Sequence, residues 1–443
     1  MSIDMTNLDA MLKVVTDGPL MDSVVTFSKV IDIFEQNSNV LEGPNGRYVE
    51  QAVLLGYNEA VGARGEHGAI PIPGSPSVIN GRPKLKKIFA AAQMTRNIMA
   101  NAVKGKAAFA NWAEVELVKT ERALRSELDR MVIGFGSGAI CRIDGAPAAA
   151  GSNFTVPIDA PYGLPSNEKG WLPGLRRGMR VVFGPNIDGT GLRSNGKSVL
   201  ILSVSKTANA AGGQLTVQGT LADWADNDYV FRGDDYGNNA MENGVEVETQ
   251  GLLGIVDDGS ILSVFQNIDR SSIEEWKGMV IDGSAAPYST NTTEGLLQRA
   301  GMDAMELNDA ETSHILATFP IWRNLYNQLK TTQGGFGSQE SKNGKLTVGA
   351  KGIQVWVGDK LVEVRAVPKL PVGKIFGLDS STLRRFHLSD FQWDDTTGSI
   401  FKQVQNGQFV KDEFWAYGRT ELEFGCWNPM KNWRIDSLSE SAV

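Results

Sequence analysis

Histidine and cysteine are nearly missing from this 443-residue chain, which has three of the first and two of the second. Cys141 and Cys426 stand far apart in sequence, so they build no disulfide framework and suit a reducing cytoplasm. His67, His314 and His387 each stand alone. Metal sites draw on clustered His, Cys and carboxylates, and acid–base enzymes need a poised proton carrier; this composition offers neither in quantity. The first residues, MSIDMTNLDAMLKVV, lack a basic segment followed by an apolar run, so no signal peptide is expected. No run of 18 apolar residues occurs either, which excludes a membrane-spanning helix. Positive charge is also scarce: 43 Lys and Arg stand against 51 Asp and Glu, a net charge of −8. Proteins that grip nucleic acid by neutralising phosphate are usually basic, so that function is excluded as the main one.

What is abundant is apolar side chain, 42% of residues, and glycine, 49 in all. Real cores are therefore expected, in two or three domains. Leu8, Met11, Leu12 and Val15 fall at helical spacing, and Phe27, Val30, Ile31 and Phe34 repeat it. Both stripes are too short to hold alone and must rest on something else. The next stretch, GARGEHGAIPIPGSPSVINGRP, carries almost no large apolar side chain, and PKLKKIFAAAQMT after it reads as a strand. Two extended arms joined near Pro76 to Gly81 would form a long hairpin without a core, marginal in water by itself. Arg82, Lys84, Lys86 and Lys87 make a compact positive patch there. Such lysines can guard an edge strand; they can equally dock an acidic patch of another copy, and the need for support favours docking.

A helix is expected over 107–133, with Leu117, Leu124, Leu128 and Met131 on one stripe, Glu121 four before Arg125, and Gly134 ending it. Its length, about 40 Å at 1.5 Å per residue, is that of a scaffold. From Gly134 to Gly259 glycine is dense and short strand patterns recur: Met179–Phe183, Ser198–Lys206, Gln214–Gly219, Asp228–Arg232 and Val245–Thr249. That spacing favours a small antiparallel barrel or sandwich, inserted over 145–250. Helices return at Glu294–Asn308 and Pro320–Lys330, and from Lys345 the pattern is again mostly strands.

Catalytic motifs are weak. The glycines of GFGSG at 134–138 follow a helix instead of opening one, so a turn is expected and not a phosphate cradle. Asp257-Asp258 and Asp394-Asp395 lie beside Gly-Ser turns, and adjacent carboxylates on a strand point to opposite faces, which does not suit paired acid–base work.

The order of these parts resembles the major capsid protein of tailed bacteriophages, the HK-ninety-seven-type fold. An N-terminal arm, an extended hairpin (the E-loop) and a long spine helix ending in a glycine-rich turn are matched by ARGEHGAIPIPGSPSVINGRPKLKKIFAAAQ, AAFANWAEVELVKTERALRSELDRM and VIGFGSGAICRIDG. GLLGIVDDGS…LQRAGMDAM…HILATFPIWRNLYNQL resembles the axial domain. KGIQVWVGDKLVEVRAVP…KIFGLDSSTLRRF…TTGSIFKQV…RTELEFGCWNPMKNWRI resembles the peripheral sheet and its return to the spine. Phe135 departs from the small acidic residue expected in the turn after the spine.

The resemblance implies an α+β fold: N-terminal arm 1–60, E-loop hairpin 61–93, spine helix and start of the peripheral domain 94–144, inserted β domain 145–250, axial domain mostly 251–343, and peripheral sheet with C-terminal return 344–443. It implies a structural subunit, not an enzyme, without cofactor or metal. The subunit would self-assemble into hexamers and pentamers of a phage head around double-stranded DNA, in the host cytoplasm and then the virion. Its partners would be identical copies, a separate scaffolding protein, a portal, a cement or decoration protein, and DNA by weak non-specific contact. No membrane is implied. The short arm before the hairpin leads to the expectation that it is not processed. Arg82, Lys84, Lys86, Lys87, Phe27 and Phe34 are the expected subunit-interface residues. Alternatives are an encapsulin-like compartment shell and a cytoplasmic hydrolase with a β accessory domain.

Overall fold

In the computed structural model, residues 30–37, 41–43, 46–56, 58, 60–69, 72, 74–95, 120–164, 174–205, 213–219, 223–233, 248–289, 293–332, 339–340, 346–347, 353–395, 400–406 and 409–438 are described. They make a mixed α+β fold, far richer in strand than in helix. The stripe at Leu8–Val15, Phe27 and the first half of the expected 107–133 helix lie outside the described residues.

Helix 120–131 buries Leu124, Leu128 and Met131, the stripe read from sequence. Its last turn runs into Gly134, and Gly136 and Gly138 then take φ of 86° and 78°, a left-handed geometry that strains other residues. The chain enters strand Ala139–Ile143 and with it a sheet in which six strands close on themselves. Around the ring stand Ala139–Ile143, Asn153–Asp159, Gly213–Gln218, Val199–Val204, Arg180–Gly184 and Tyr229–Arg232, every neighbour antiparallel. Alternate residues point inward: Val156, Ile158, Val181, Phe183, Ile201, Leu215, Val217 and Val230 are essentially unexposed. Trp224 packs on Phe183 with ring centroids 4.3 Å apart. A seventh strand, Ala148–Ala150, pairs with Asn153–Asp159 beside the ring. This sheet starts six residues before the expected 145, because the turn after the helix feeds it directly.

The chain returns where it left. Gly251 lies so close to the helix end that a Cβ there would fall 2.4 Å from Met131 O, and Leu252 N–H donates to Val132 O at 2.8 Å. The barrel is thus spliced into the fold at one point.

Two further large sheets follow, and among the described residues four two-stranded ribbons accompany them. One has strands Glu35–Asn37, Leu383–Trp393, Phe409–Cys426, Phe401–Asn406 and Lys86–Thr95. The other runs in the order Met279–Asp282, Trp433–Asp436, Ile375–Leu378, His314–Ala317, Lys360–Ala366, Ile353–Val357. Strands from both sides of the expected 343/344 boundary thus share one sheet. Strands from 353 to 378, and 433–436, join the sheet that contains 279–317, while 383–426 form the other. Helices Thr293–Asn308 and Phe319–Thr332 pack on the six-stranded sheet through Leu297, Ala300, Ala304, Ile321, Leu325 and Leu329. Leu307, at the end of the first helix, is 70% exposed because the packed face ends a turn earlier.

Two expectations for the N-terminal part also change. Val30, Ile31, Ile33 and Phe34 form no amphipathic helix: a single 3-10 turn at Ile31–Ile33 gives way to a strand parallel to Leu383–Trp393. β-branched side chains disfavour the helix, and Phe34 is already extended. The hairpin does not turn at 76–81 either. Its strands are Gln51–Gly56 and Ser77–Gly81, and Lys86–Thr95 lies along Phe409–Cys426 instead. Pro83, which cannot donate a ladder hydrogen bond, separates the two segments.

Candidate assembly interface

The hairpin has two unlike faces because side chains alternate along a strand. Val53 and Ile79, paired across it, rest on the main core. Leu54 and Val78, the adjacent pair, face outward at 52% and 56% exposure. In the connecting segment Val61 and Ile72 are 88% and 89% exposed. Asn58 Oδ1 closes the base of that segment by accepting from Ala60 N–H at 3.1 Å and Gly74 N–H at 3.0 Å. The hairpin is therefore supported at its root by its own subunit and bare along its outer side.

The basic patch sits where the hairpin meets the sheet. Arg82 donates to Glu50 Oε1 through Nη2 at 2.7 Å and Nε at 3.2 Å, and that bond with the paired charge raises its pKa. Its guanidinium also lies over the Tyr48 ring, 5.9 Å from the centroid. Lys84 is exposed and its backbone bridges to Tyr48. Lys86 is half-buried opposite Leu422, and Lys87 is exposed opposite Glu421. Phe89, next on the outward face, is 64% exposed. Arg82, Lys84, Lys86 and Lys87 are thus brought to one corner, with Arg82 already partnered within the chain.

Phe34, expected at a subunit interface, is buried within this chain, with its ring centroid 5.0 Å from that of Phe424, and Glu35 beside it bonds Arg384 at 2.7 Å.

The paired carboxylates are structural. Asp257 is fully buried and accepts from the backbone N–H of Gly259, Ile261 and Leu262 at 2.9–3.0 Å and from Ser260 Oγ at 3.1 Å. Arg434 Nη2 stands 3.4 Å and Arg270 Nη1 3.7 Å from it. Arg270 also donates to the carbonyls of Gly254, Ile255 and Trp276. Burial brings its pKa down to about 10, partly offset by the Asp257 charge. Asp394 pairs with Lys402 at 2.7 Å. Among the described residues no group of three His, Cys, Asp or Glu could hold a metal ion. His314, in a strand, has its pKa lowered first by burial and then by the charge of Arg365.

No known sequence family matches the chain, and no curated protein matches it. Solved structures do. A "Cyanophage A-1(L) capsid asymmetric unit" is 9% identical, with 92% of each chain covered and a TM-score of 0.44. "The capsid of Myoviridae Phage XM1" is 7% identical, covering 94% of this chain and 92% of that one, with a TM-score of 0.43. A "virus-like particle from Pyrococcus furiosus" is 8% identical, covering 94% and 96%, with a TM-score of 0.37. Identities this low give no residue-by-residue correspondence.

Proposed function

We propose that this chain is the repeating subunit of a closed shell, the major capsid protein of a tailed-bacteriophage head, associating into hexamers and pentamers around double-stranded DNA. The observation that carries this reading is the hairpin, whose outward side presents Leu54 and Val78 to water and whose connecting segment presents Val61 and Ile72. Exposed apolar side chains in a projecting two-stranded element gain stability only when a partner covers them. A neighbouring copy is the partner always at hand, and a projecting element that meets a different surface of the next copy builds rings and shells, not simple dimers.

In this reading helix 120–131 and the five-stranded sheet form the peripheral domain. The six-stranded sheet with its two helices forms the axial domain, and the barrel lies on the outer face, where an insertion costs least. Lys84, Lys86 and Lys87, with Arg82, dock an acidic patch of the neighbour. The net charge of −8 keeps the wall from binding the packaged DNA tightly. Scaffolding, portal and cement proteins are the further partners, and assembly takes place in the host cytoplasm.

Particles containing this chain, isolated from their natural source and treated with nuclease, test the reading. Protected double-stranded DNA together with a portal protein is the expected content. Enzyme cargo without DNA would replace it with the compartment-shell reading.

A further inference from the structure

A tight turn far from the hairpin in sequence touches both the hairpin's root and the end of the longest strand. Strands Val264–Phe265 and Ile268–Asp269 are joined by Gln266 and Asn267, with φ of 51° and 65°. Two left-handed residues in succession are what a two-residue hairpin of this kind demands, and Gly, Asn or Asp ordinarily fill the first position. Glutamine there is strained, and strain held in a fold points to a use for the side chain.

That side chain is 2% exposed. With the amide oriented so that oxygen meets donor and nitrogen meets acceptor, an assignment made from its surroundings, the oxygen accepts from Cys426 N–H at 2.9 Å and the nitrogen donates to Cys426 O at 3.1 Å, so one amide satisfies both backbone groups of a strand residue, as a paired strand would. It lies between two glycines. A Cβ on Gly425 would come within 2.2 Å of the carboxamide, and one on Gly81, at the end of the hairpin, within 3.6 Å. The backbone carbonyl of the same residue accepts from Arg82 N–H at 2.8 Å. Gln266 thus bonds the five-stranded sheet with its side chain and the hairpin root with its main chain. Beside it the root is two strands wide, held by Val49 N–H to Pro83 O at 3.1 Å and the Tyr48–Lys84 bridge.

We propose that Gln266 is a positioning clasp: it fixes the direction in which the hairpin leaves the body, and with the carboxamide gone the hairpin pivots about residues 82–85 while the rest of the fold stays put. Being intramolecular, the clasp stands whether or not the chain builds a shell.

The test is made on the full, unassembled chain by spin-label distance measurement. Both native cysteines are buried, which keeps them from the label. Ser75→Cys with Glu306→Cys reports hairpin against body, and Lys197→Cys with Glu306→Cys reports barrel against body; all three positions are exposed. Gln266→Gly removes the carboxamide and relieves the strained backbone; Gln266→Asn keeps an amide one methylene too short. With Gln266 intact, the hairpin pair should give one narrow distance. In both variants a second population should emerge, with the closed state losing about tenfold, as expected for two buried hydrogen bonds. The barrel pair should not change. An unchanged hairpin distance in Gln266→Gly would overturn the proposal, and so would equal broadening of both pairs, which would make Gln266 a general packing residue.

Discussion

Glu127 and Arg130 stand one turn apart on helix 120–131, and Arg130 Nε donates to Glu127 Oε2 at 2.8 Å with both side chains buried. Arg130 reaches a second carboxylate, Glu248, where the chain returns from the barrel, and Glu127 also takes Arg232 from the barrel's last strand, with Arg176 at 3.7 Å. One buried network therefore ties the helix, the barrel and the returning chain together. Burial alone would raise the Glu127 pKa, but the charges of Arg130 and Arg232 more than offset it and bring it down to about 2.

That depression fixes the sign of a pH effect. A carboxyl group at about 2 when folded and near 4.5 when unfolded stabilises the fold fully above 4.5, and this contribution fades as pH falls from 4.5 to 2. The amount is on the order of 3 kcal/mol. Thermal unfolding of the unassembled chain between pH 6 and about 3 should show Tm dropping on the acid side, and Glu127→Gln should flatten the part due to this group. A variant with the same acid slope would remove Glu127 from the account.

At neutral pH the same Glu127→Gln change leaves Arg130 and Arg232 short of a buried counter-charge. Arg130 keeps Glu248 and Arg232 is partly exposed, so the expected loss is about 1.5–3 kcal/mol in denaturant unfolding. A loss under about 0.5 kcal/mol, typical of surface substitutions, would show that the network is dispensable.

Gly377 lies opposite Trp433 in the six-stranded sheet, and a Cβ on it would sit 1.9 Å from the indole. Trp433 is fully buried and donates through Nε1 to Thr312 Oγ1 at 3.0 Å, so it has little room to retreat. Gly377→Ala should cost about 3 kcal/mol or more from overpacking. Gly145→Ser, with no atom within 4 Å of a Cβ but a φ of +92°, should cost only the backbone strain, about 1 kcal/mol. Equal losses for the two in chemical denaturation would contradict this packing.

Leu54→Asp combined with Val78→Asp alters only the outward pair of the hairpin. The monomer Tm should hold within about 2 °C, since exposed substitutions change stability little. Sedimentation should show assembly lost or weakened at least tenfold. Wild-type assembly by this variant would place the contact elsewhere.

Much of this molecule was legible in its residues, and the limits have physical causes. The periodicity of 293–308 and 319–332 and the spacing of four barrel strands are local signals, and these elements form close to the expected ranges; of the expected strand Val245–Thr249, residues 245–247 lie outside the described residues and 248–249 are not strand. Strand Leu383–Trp393 is faintly marked in sequence because two register shifts against Phe409–Cys426 break its alternation and Arg385 turns inward at a position an apolar residue would mark. The destination of Lys86–Thr95 was misjudged because pairing with 413–422 joins segments far apart in the chain, which periodicity cannot see. Phe34 looked like an unsupported stripe residue for the same reason, its partner being Phe424. The cluster of Arg82, Lys84, Lys86 and Lys87 was readable because it is contiguous. Gln266 was not, since nothing in QN between short apolar pairs marks a residue that bonds Cys426 and Arg82.

Negative-stain microscopy of the expressed chain, with and without a co-expressed candidate scaffolding protein, tests the central claim most directly. The account predicts closed particles of uniform size, lost when Leu54 and Val78 both become aspartate. A chain that stays monomeric at high concentration in both conditions, with the hairpin's outer side as protected from exchange as the barrel, would contradict it.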